Sequence, residues 1–138
     1  MRTCSADAFR AVRLSGASAL LALTVQLPAS AAPAPAATAA SVAEGKELYE
    51  GKCGGCHSVD ANRIGPLHRG VVGRKVASVK DFNYSPALKT LGGVWTPQRL
   101  DAWLTSPQAV APGTSMYFML EDASQRAAII AYLKSVSP

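Results

Sequence analysis

No apolar run in this 138-residue chain reaches the twenty or so residues that a membrane-spanning helix needs. No stretch sustains the period-2 alternation of a half-buried strand, so the chain shows none of the βαβ setting in which redox-active cysteine pairs sit. Lysines and arginines form no stripe or cluster able to follow a phosphate backbone, which argues against nucleic acid as a partner. No internal repeat appears, so a solenoid or array is excluded. Histidine and cysteine are scarce, with two and three residues respectively. A tetrahedral zinc site needs four ligands, and beyond Cys53, Cys56 and His57 only His68 remains to supply the fourth.

What is present begins with an address. Arg2, Arg10 and Arg13 give a positive start, an apolar stretch runs from about Gly16 to Leu27, and Pro28-Ala29-Ser30-Ala31 has the small-x-small pattern of a secretory cleavage site. Residues 1–31 therefore read as a removable signal, the alternative being an uncleaved membrane anchor. Cleavage after Ala31 leaves 107 residues with 11 basic and 8 acidic side chains, a formal balance of +3 in place of +5. Cys4 departs with the signal, so the mature chain keeps only Cys53 and Cys56 and no stray thiol in an oxidising compartment.

Residues 32–43 are small and proline-bearing, with nothing to bury, and read as a flexible tether. One domain over 44–138 follows. Ser41 and Glu44 have the spacing of a capping box at the head of a first helix running toward the cysteines. A Gly-, Pro- and basic-rich loop extends from His57 to about Asn83. Ser85-Pro86 and Thr96-Pro97 start two further helices; Gly92-Gly93 ends one, and Pro107 limits the other, which carries Leu100, Trp103 and Leu104. A last helix starts near Glu121–Ser124, with Ala127, Ile130, Ala131 and Leu133 as its apolar stripe. The expected fold is all-α, three to four helices and one long loop. So short a chain makes a thin core, and a large apolar prosthetic group at its centre would relieve the shortage.

Cys53-Gly54-Gly55-Cys56-His57 supplies that group. C-x-x-C-H is the signature of covalent haem attachment. Positions three and four apart share one face of a helical turn, so both thiols and the imidazole can meet one flat ligand. The thiols add across the two vinyl groups while the imidazole reaches iron. Opposite His57, the candidates are His68, Met116, Met119 or an open position. Met116 ends Ala111-Pro112-Gly113-Thr114-Ser115-Met116, a stiff turn that raises it above Met119, although a lone methionine is ordinarily core packing.

From about Gly45 to Lys134 the chain resembles the small class I cytochrome c family, mitochondrial and bacterial periplasmic. The resemblance rests on Cys-Gly-Gly-Cys-His at 53–57, Ile-Gly-Pro at 64–66, Val-Val-Gly-Arg-Lys at 71–75 and Phe-Asn-Tyr-Ser at 82–85. Trp95, Pro-Gly-Thr-Ser-Met at 112–116 and Ile-Ala-Tyr-Leu-Lys at 130–134 complete it. It implies a small cytochrome c fold around one covalent haem c, with His57 and Met116 as iron ligands. It further implies that the Pro66 carbonyl accepts the second His57 proton. Arg74, Tyr84, Trp95 and Thr114 match groups that hold the haem propionates, which are costly to bury unpaired. Gly45, Tyr49, Ile129 and Tyr132 match the crossing of first and last helices.

The chain also departs from the pattern. His68 stands where relatives carry a leucine, and reads as a surface or haem-edge residue and only a weak rival ligand. Trp103 replaces a common tyrosine near the distal methionine and Leu88 an asparagine, so the distal side is expected to be less hydrogen-bonded. The basic ring around the haem edge is thin: Lys52 remains, but Gln108 and Ser115 occupy positions that are often basic.

The expected function is one-electron transfer in the periplasm, between redox proteins of a respiratory or photosynthetic chain that dock transiently at the haem edge. No small-molecule substrate is expected, and membranes are met only through partner complexes. Two rivals stand: a haem subunit dedicated to one dehydrogenase, and a haem enzyme with an open distal site.

Overall fold

The structure, a computed structural model, describes residues 39–138; the expected signal and most of the expected tether lie outside the described residues. Among the described residues five helices follow one another: α1 (Ala39–Lys52), α2 (Pro86–Leu91), α3 (Pro97–Thr105), α4 (Pro107–Val110) and α5 (Ala123–Ser135). Among the described residues there is no strand, only an isolated antiparallel bridge between Lys75 and Val94. None of the described helices is long and apolar enough to cross a membrane.

Local chemistry explains most helix starts. Ser85, Thr96 and Ser106 each precede a proline that needs no N–H partner, and each side chain accepts the backbone N–H three residues on. Ser106 serves twice, closing α3, which Pro107 limits as expected, and opening α4, a short further turn. Asp122 caps α5 by accepting from the N–H groups of Ser124 and Gln125. Helix α1 starts at Ala39, inside the segment expected to be tether, so Ser41 lies within its first turn and is not its cap. Alanine is the best helix former, and Ala39-Ala40 carry the helix past the capping-box signal.

Helices α1 and α5 cross at Gly45. A Cβ there would fall 2.0 Å from the carbonyl oxygen of Ala128, so only glycine lets the two backbones meet. The contact buries Tyr49 against Ile129 and Leu133 in one apolar cluster, which continues through Leu100, Trp103 and Leu104 of α3. The α5 stripe is rotated from the expected one: Arg126, Ile129, Ile130 and Leu133 are buried, with Ala128, while Ala127 is exposed. Arg126 is held within that face. Its Nε donates to Asp101 at 2.7 Å and its Nη1 to the carbonyls of Leu120 and Glu121, tying α5 to α3 and to the segment leading into it.

The long segment between α1 and α2 is an ordered loop laid over this frame. His68 and Arg69 donate backbone N–H groups to the carbonyls of Ser58 and Val59, Gly70 donates to Val136, Gly73 donates to the Trp95 carbonyl, and Trp95 donates to the Arg74 carbonyl.

Candidate haem site

The Cys53–His57 turn extends the rise of α1. Cys53 N–H still bonds Tyr49 in the helical manner, and His57 N–H reaches back four residues to the Cys53 carbonyl at 2.8 Å. Arg63 donates to the Gly54 carbonyl and braces the turn. Both thiols are free. Burial pushes the Cys53 thiol up to about 11, with Cys56 adding and Lys52 opposing. A reactive redox thiol needs the reverse, a depressed pKa, so Cys53 is poorly suited to disulfide exchange.

His57 is held on three sides. Its Nδ1 lies 2.8 Å from the Pro66 carbonyl oxygen and donates to it, leaving the Nε2 lone pair for a metal. Burial lowers its pKa and outweighs the opposing Pro66 bond, so the imidazole is neutral, as ligation requires. Gly65 lies so close that a Cβ there would fall 2.1 Å from His57 Cε1. The third wall is His68, whose ring stacks on His57 with centroids 4.1 Å apart and planes 17° from parallel.

That stacking corrects one expectation about His68. It is half-buried against His57, and it is not a possible opposite ligand, since two imidazoles in face-to-face contact cannot bind one iron from opposite sides. His68 is instead the inner member of a row of rings. Its Nδ1 lies 3.2 Å from the Tyr49 hydroxyl, and Tyr49 in turn touches Tyr132 with centroids 5.4 Å apart. Burial, then His57 and Arg74, push His68 down to about 3, so it too is neutral. Its position in the row depends on contacts across the fold, which no local signal in the sequence encodes.

On the distal side, Met116 is partly buried and packs against the core. The Trp103 indole N–H donates to Met116 Sδ at 3.2 Å. The expectation that tryptophan at 103 would leave the distal side less hydrogen-bonded is therefore wrong at the sulfur, because an indole supplies a donor as a phenol does. Leu88 is in the apolar cluster, in keeping with loss of a polar group there. Trp95 packs edge-on against Trp103, with ring centroids 5.2 Å apart. Met119 lies outside this grouping, exposed with Tyr117 and Phe118.

Of the expected propionate partners, Arg74 donates to the backbone carbonyls of Leu67 and Arg69, and Tyr84 accepts the Val79 N–H. Arg74 and Tyr84 act on each other electrostatically, and Trp95 pairs through its backbone with Gly73 and Arg74, so these three converge. Thr114 is almost wholly buried in the turn before Met116. Sequence reasoning treated Gln108 only as a missing charge. Its side chain instead bonds three backbone groups of the Met116 turn.

These residues fit a haem. Two free thiols flank a neutral imidazole whose one proton is already engaged, and a glycine clears the space beside it. Among the described residues no three His, Cys, Asp or Glu side chains gather to hold a metal ion on their own, so a zinc site is not formed. Fold and site thus define a c-type haem protein.

Comparison with known proteins gives the family. Residues 42–137 match the sequence model of the cytochrome c family. The chain is 44% identical over 104 residues to cytochrome c-type cyt cy of Rhodobacter capsulatus, covering 74% of this chain and 52% of that protein. It is 42% identical over 94 residues to cytochrome c 2.1 of Caenorhabditis elegans, covering 66% of this chain and 85% of that one. Cytochrome cH from Methylobacterium extorquens superposes with a TM-score of 0.65 at 35% identity, over 68% of this chain and 97% of that one. The match spans about half the length of the Rhodobacter relative. With two thirds of its length in register with that family, the chain belongs to the cytochrome c family: an all-α haem-based electron carrier with covalently bound haem c, whose C-x-x-C-H motif Cys53 and Cys56 fit.

Proposed function

We propose that the chain is an exported, periplasmic one-electron carrier in a respiratory or photosynthetic chain, with His57 and Met116 as its iron ligands. The bound haem supplies the ferrous–ferric couple, and thioether ligation favours its reduced form. The chain's own residues hold that couple still. Pro66 fixes the His57 tautomer, and Gly65 and His68 fix the ring's place. Cys53 and Cys56 bind the group against loss outside the cell. Trp103 holds the Met116 sulfur by its N–H, and that contact is the observation that carries the reading, because it gives the distal methionine a single defined place. A distal position so closed favours a carrier over an enzyme that binds peroxide or a gas.

Partners dock at the haem edge. Tyr117, Phe118 and Met119, exposed immediately after Met116, supply apolar contact there. With a thin basic ring, steering by charge is weak. The same exposed trio is what favours the second reading, a haem subunit held to one dehydrogenase. Export is supported by the composition of residues 1–31, and a mature N-terminus near Ala32 with the mass raised by one haem tests it.

Met116→Ala tests the ligand. A vacated position makes the iron partly high-spin, removes the weak red band of ferric iron–thioether ligation, lowers the potential and speeds cyanide binding. Met119→Ala leaves all four unchanged. A band that survives Met116→Ala refutes the His57/Met116 pair. Wild-type protein that already binds cyanide rapidly points to the enzyme, and a partner that copurifies in fixed ratio points to the dedicated subunit.

A further inference from the structure

The sulfur of Met116 is held by Trp103, but the backbone that carries Met116 is held by a different residue. Gln108 stands on α4 (Pro107–Val110), with its side chain reaching across the turn that ends at Met116. Its Nε2 donates to the Thr114 carbonyl at 2.8 Å and to the Met116 carbonyl at 3.1 Å, while its Oε1 accepts the Gly113 N–H at 3.1 Å. Both amide protons and the carbonyl oxygen are thus engaged. Turning the amide over would set its oxygen against two carbonyls, so the orientation is fixed by the contacts themselves.

The base of this clamp is stiff. Pro107 is fully buried, Ser106 caps the turn by accepting the Ala109 N–H, and Ala111 N–H returns to Pro107. Thr114 N–H bonds Ala111, closing the start of the ligand turn onto the end of α4. Few side chains can replace Gln108. Lysine has no acceptor for Gly113, glutamate has no donor for the two carbonyls, and asparagine is one methylene too short. Leucine keeps the bulk and loses every bond.

We propose that Gln108 is the positioning residue for the distal ligand: by gripping Gly113, Thr114 and Met116 through the backbone, it sets how often the Met116 sulfur leaves the iron. The inference rests on Met116 being that ligand. Gln108 does not touch the haem, and its effect passes wholly through the turn. A neutral thioether is a weak, exchangeable ligand, so the frequency with which its loop opens controls access to the iron.

The test uses mature ferric holoprotein and imidazole as the entering ligand. At saturating imidazole the observed rate levels off at the rate of sulfur departure. Gln108→Leu is expected to raise that limiting rate at least tenfold, equivalent to about 1.4 kcal/mol. Gln108→Glu, the isostere, is expected to raise it at least as far, since it faces two carbonyls with a carboxylate. Both variants keep the wild-type thermal unfolding midpoint within a few degrees. Limiting rates within twofold of wild type for both variants overturn the proposal, and so does a midpoint that falls in step with the rate, which would mean general loosening. If the leucine variant fails to fold, the glutamate isostere carries the measurement. Met116→Ala separates the underlying reading: its rate should rise in proportion to imidazole without levelling off. A Met116→Ala protein that still saturates at the wild-type rate shows that the sulfur is not the ligand, and the proposal falls with it.

Discussion

Replacing Gly45 by alanine sets two effects against each other inside α1 (Ala39–Lys52). Helix propensity alone favours alanine over glycine by about 1 kcal/mol. The crossing with α5 opposes it. The added Cβ would lie 2.0 Å from the Ala128 carbonyl oxygen, 2.6 Å from its carbon and 3.0 Å from Tyr132 Cβ. The first two are backbone atoms, so no rotamer change relieves the collision and α5 must retreat by about an ångström. Overpacking of this kind costs about 1–3 kcal/mol, and a backbone-on-backbone clash belongs at the upper end. The net expectation is a loss of about 2 kcal/mol. Gly51 provides the control, in the same helix but exposed, with nothing within 4 Å of a new Cβ. Gly51→Ala is expected to gain about 0.5 kcal/mol from propensity, reduced by its place near the helix end. Guanidinium unfolding of ferric holoprotein measures both, read as a change in midpoint at constant slope. A Gly45→Ala protein as stable as wild type, or changes of the same sign at both sites, would refute the close-approach argument.

Gly65→Ala is expected to push the His57 ring off the Pro66 carbonyl, lowering the yield of mature holoprotein and shifting the His57 Nδ1–H proton resonance; an unshifted resonance at normal yield contradicts it. Arg126→Met keeps the apolar stem and removes the bonds to Asp101, Leu120 and Glu121. It is expected to cost about 2–3 kcal/mol in the same unfolding assay, as charged hydrogen bonds are lost and the partly buried carbonyls of 120 and 121 go unpaired; a loss below about 0.5 kcal/mol counts against the clamp. Asp122 is held below the usual carboxylate range, first by the Ser124 hydroxyl and then by the Gln125 N–H. A carboxylate depressed in the folded state stabilises above its unfolded pKa, and that contribution fades as pH falls through the folded value. Asp122→Ala should therefore lower the thermal midpoint at pH 7, with the gap to wild type closing as pH falls below the usual carboxylate range; a gap that stays constant with pH shows that the charge plays no part.

The legible parts of this protein are those whose physics is short-ranged. Two cysteines and a histidine at spacings of three and four share a helical face whatever surrounds them, so the covalent attachment site could be read directly. Serine or threonine before proline caps a helix by contacts spanning three residues, and the starts of α2 and α3 followed from that alone. Expectations for the rest of the site came from the family-wide motifs, read in order.

What the sequence could not disclose depends on which distant segments meet. His68 lies eleven residues beyond His57, and only closure of the intervening loop decides that its ring stacks on His57 instead of facing away from it. Residue type said that Trp103 had lost a hydroxyl; only its placement from α3 against the Met116 turn shows that the indole N–H takes over the contact. Gln108 looked like an absent charge because a side chain's hydrogen-bond role is set by the backbone groups opposite it, and those come from a turn folded back over α4. The rotated stripe of α5 has the same origin: a buried arginine is tolerated there because Asp101 and two carbonyls converge on it. Local hydrogen bonding and spacing determined where this chain could hold a haem, whereas long-range packing decided how the groups around that haem are oriented and held.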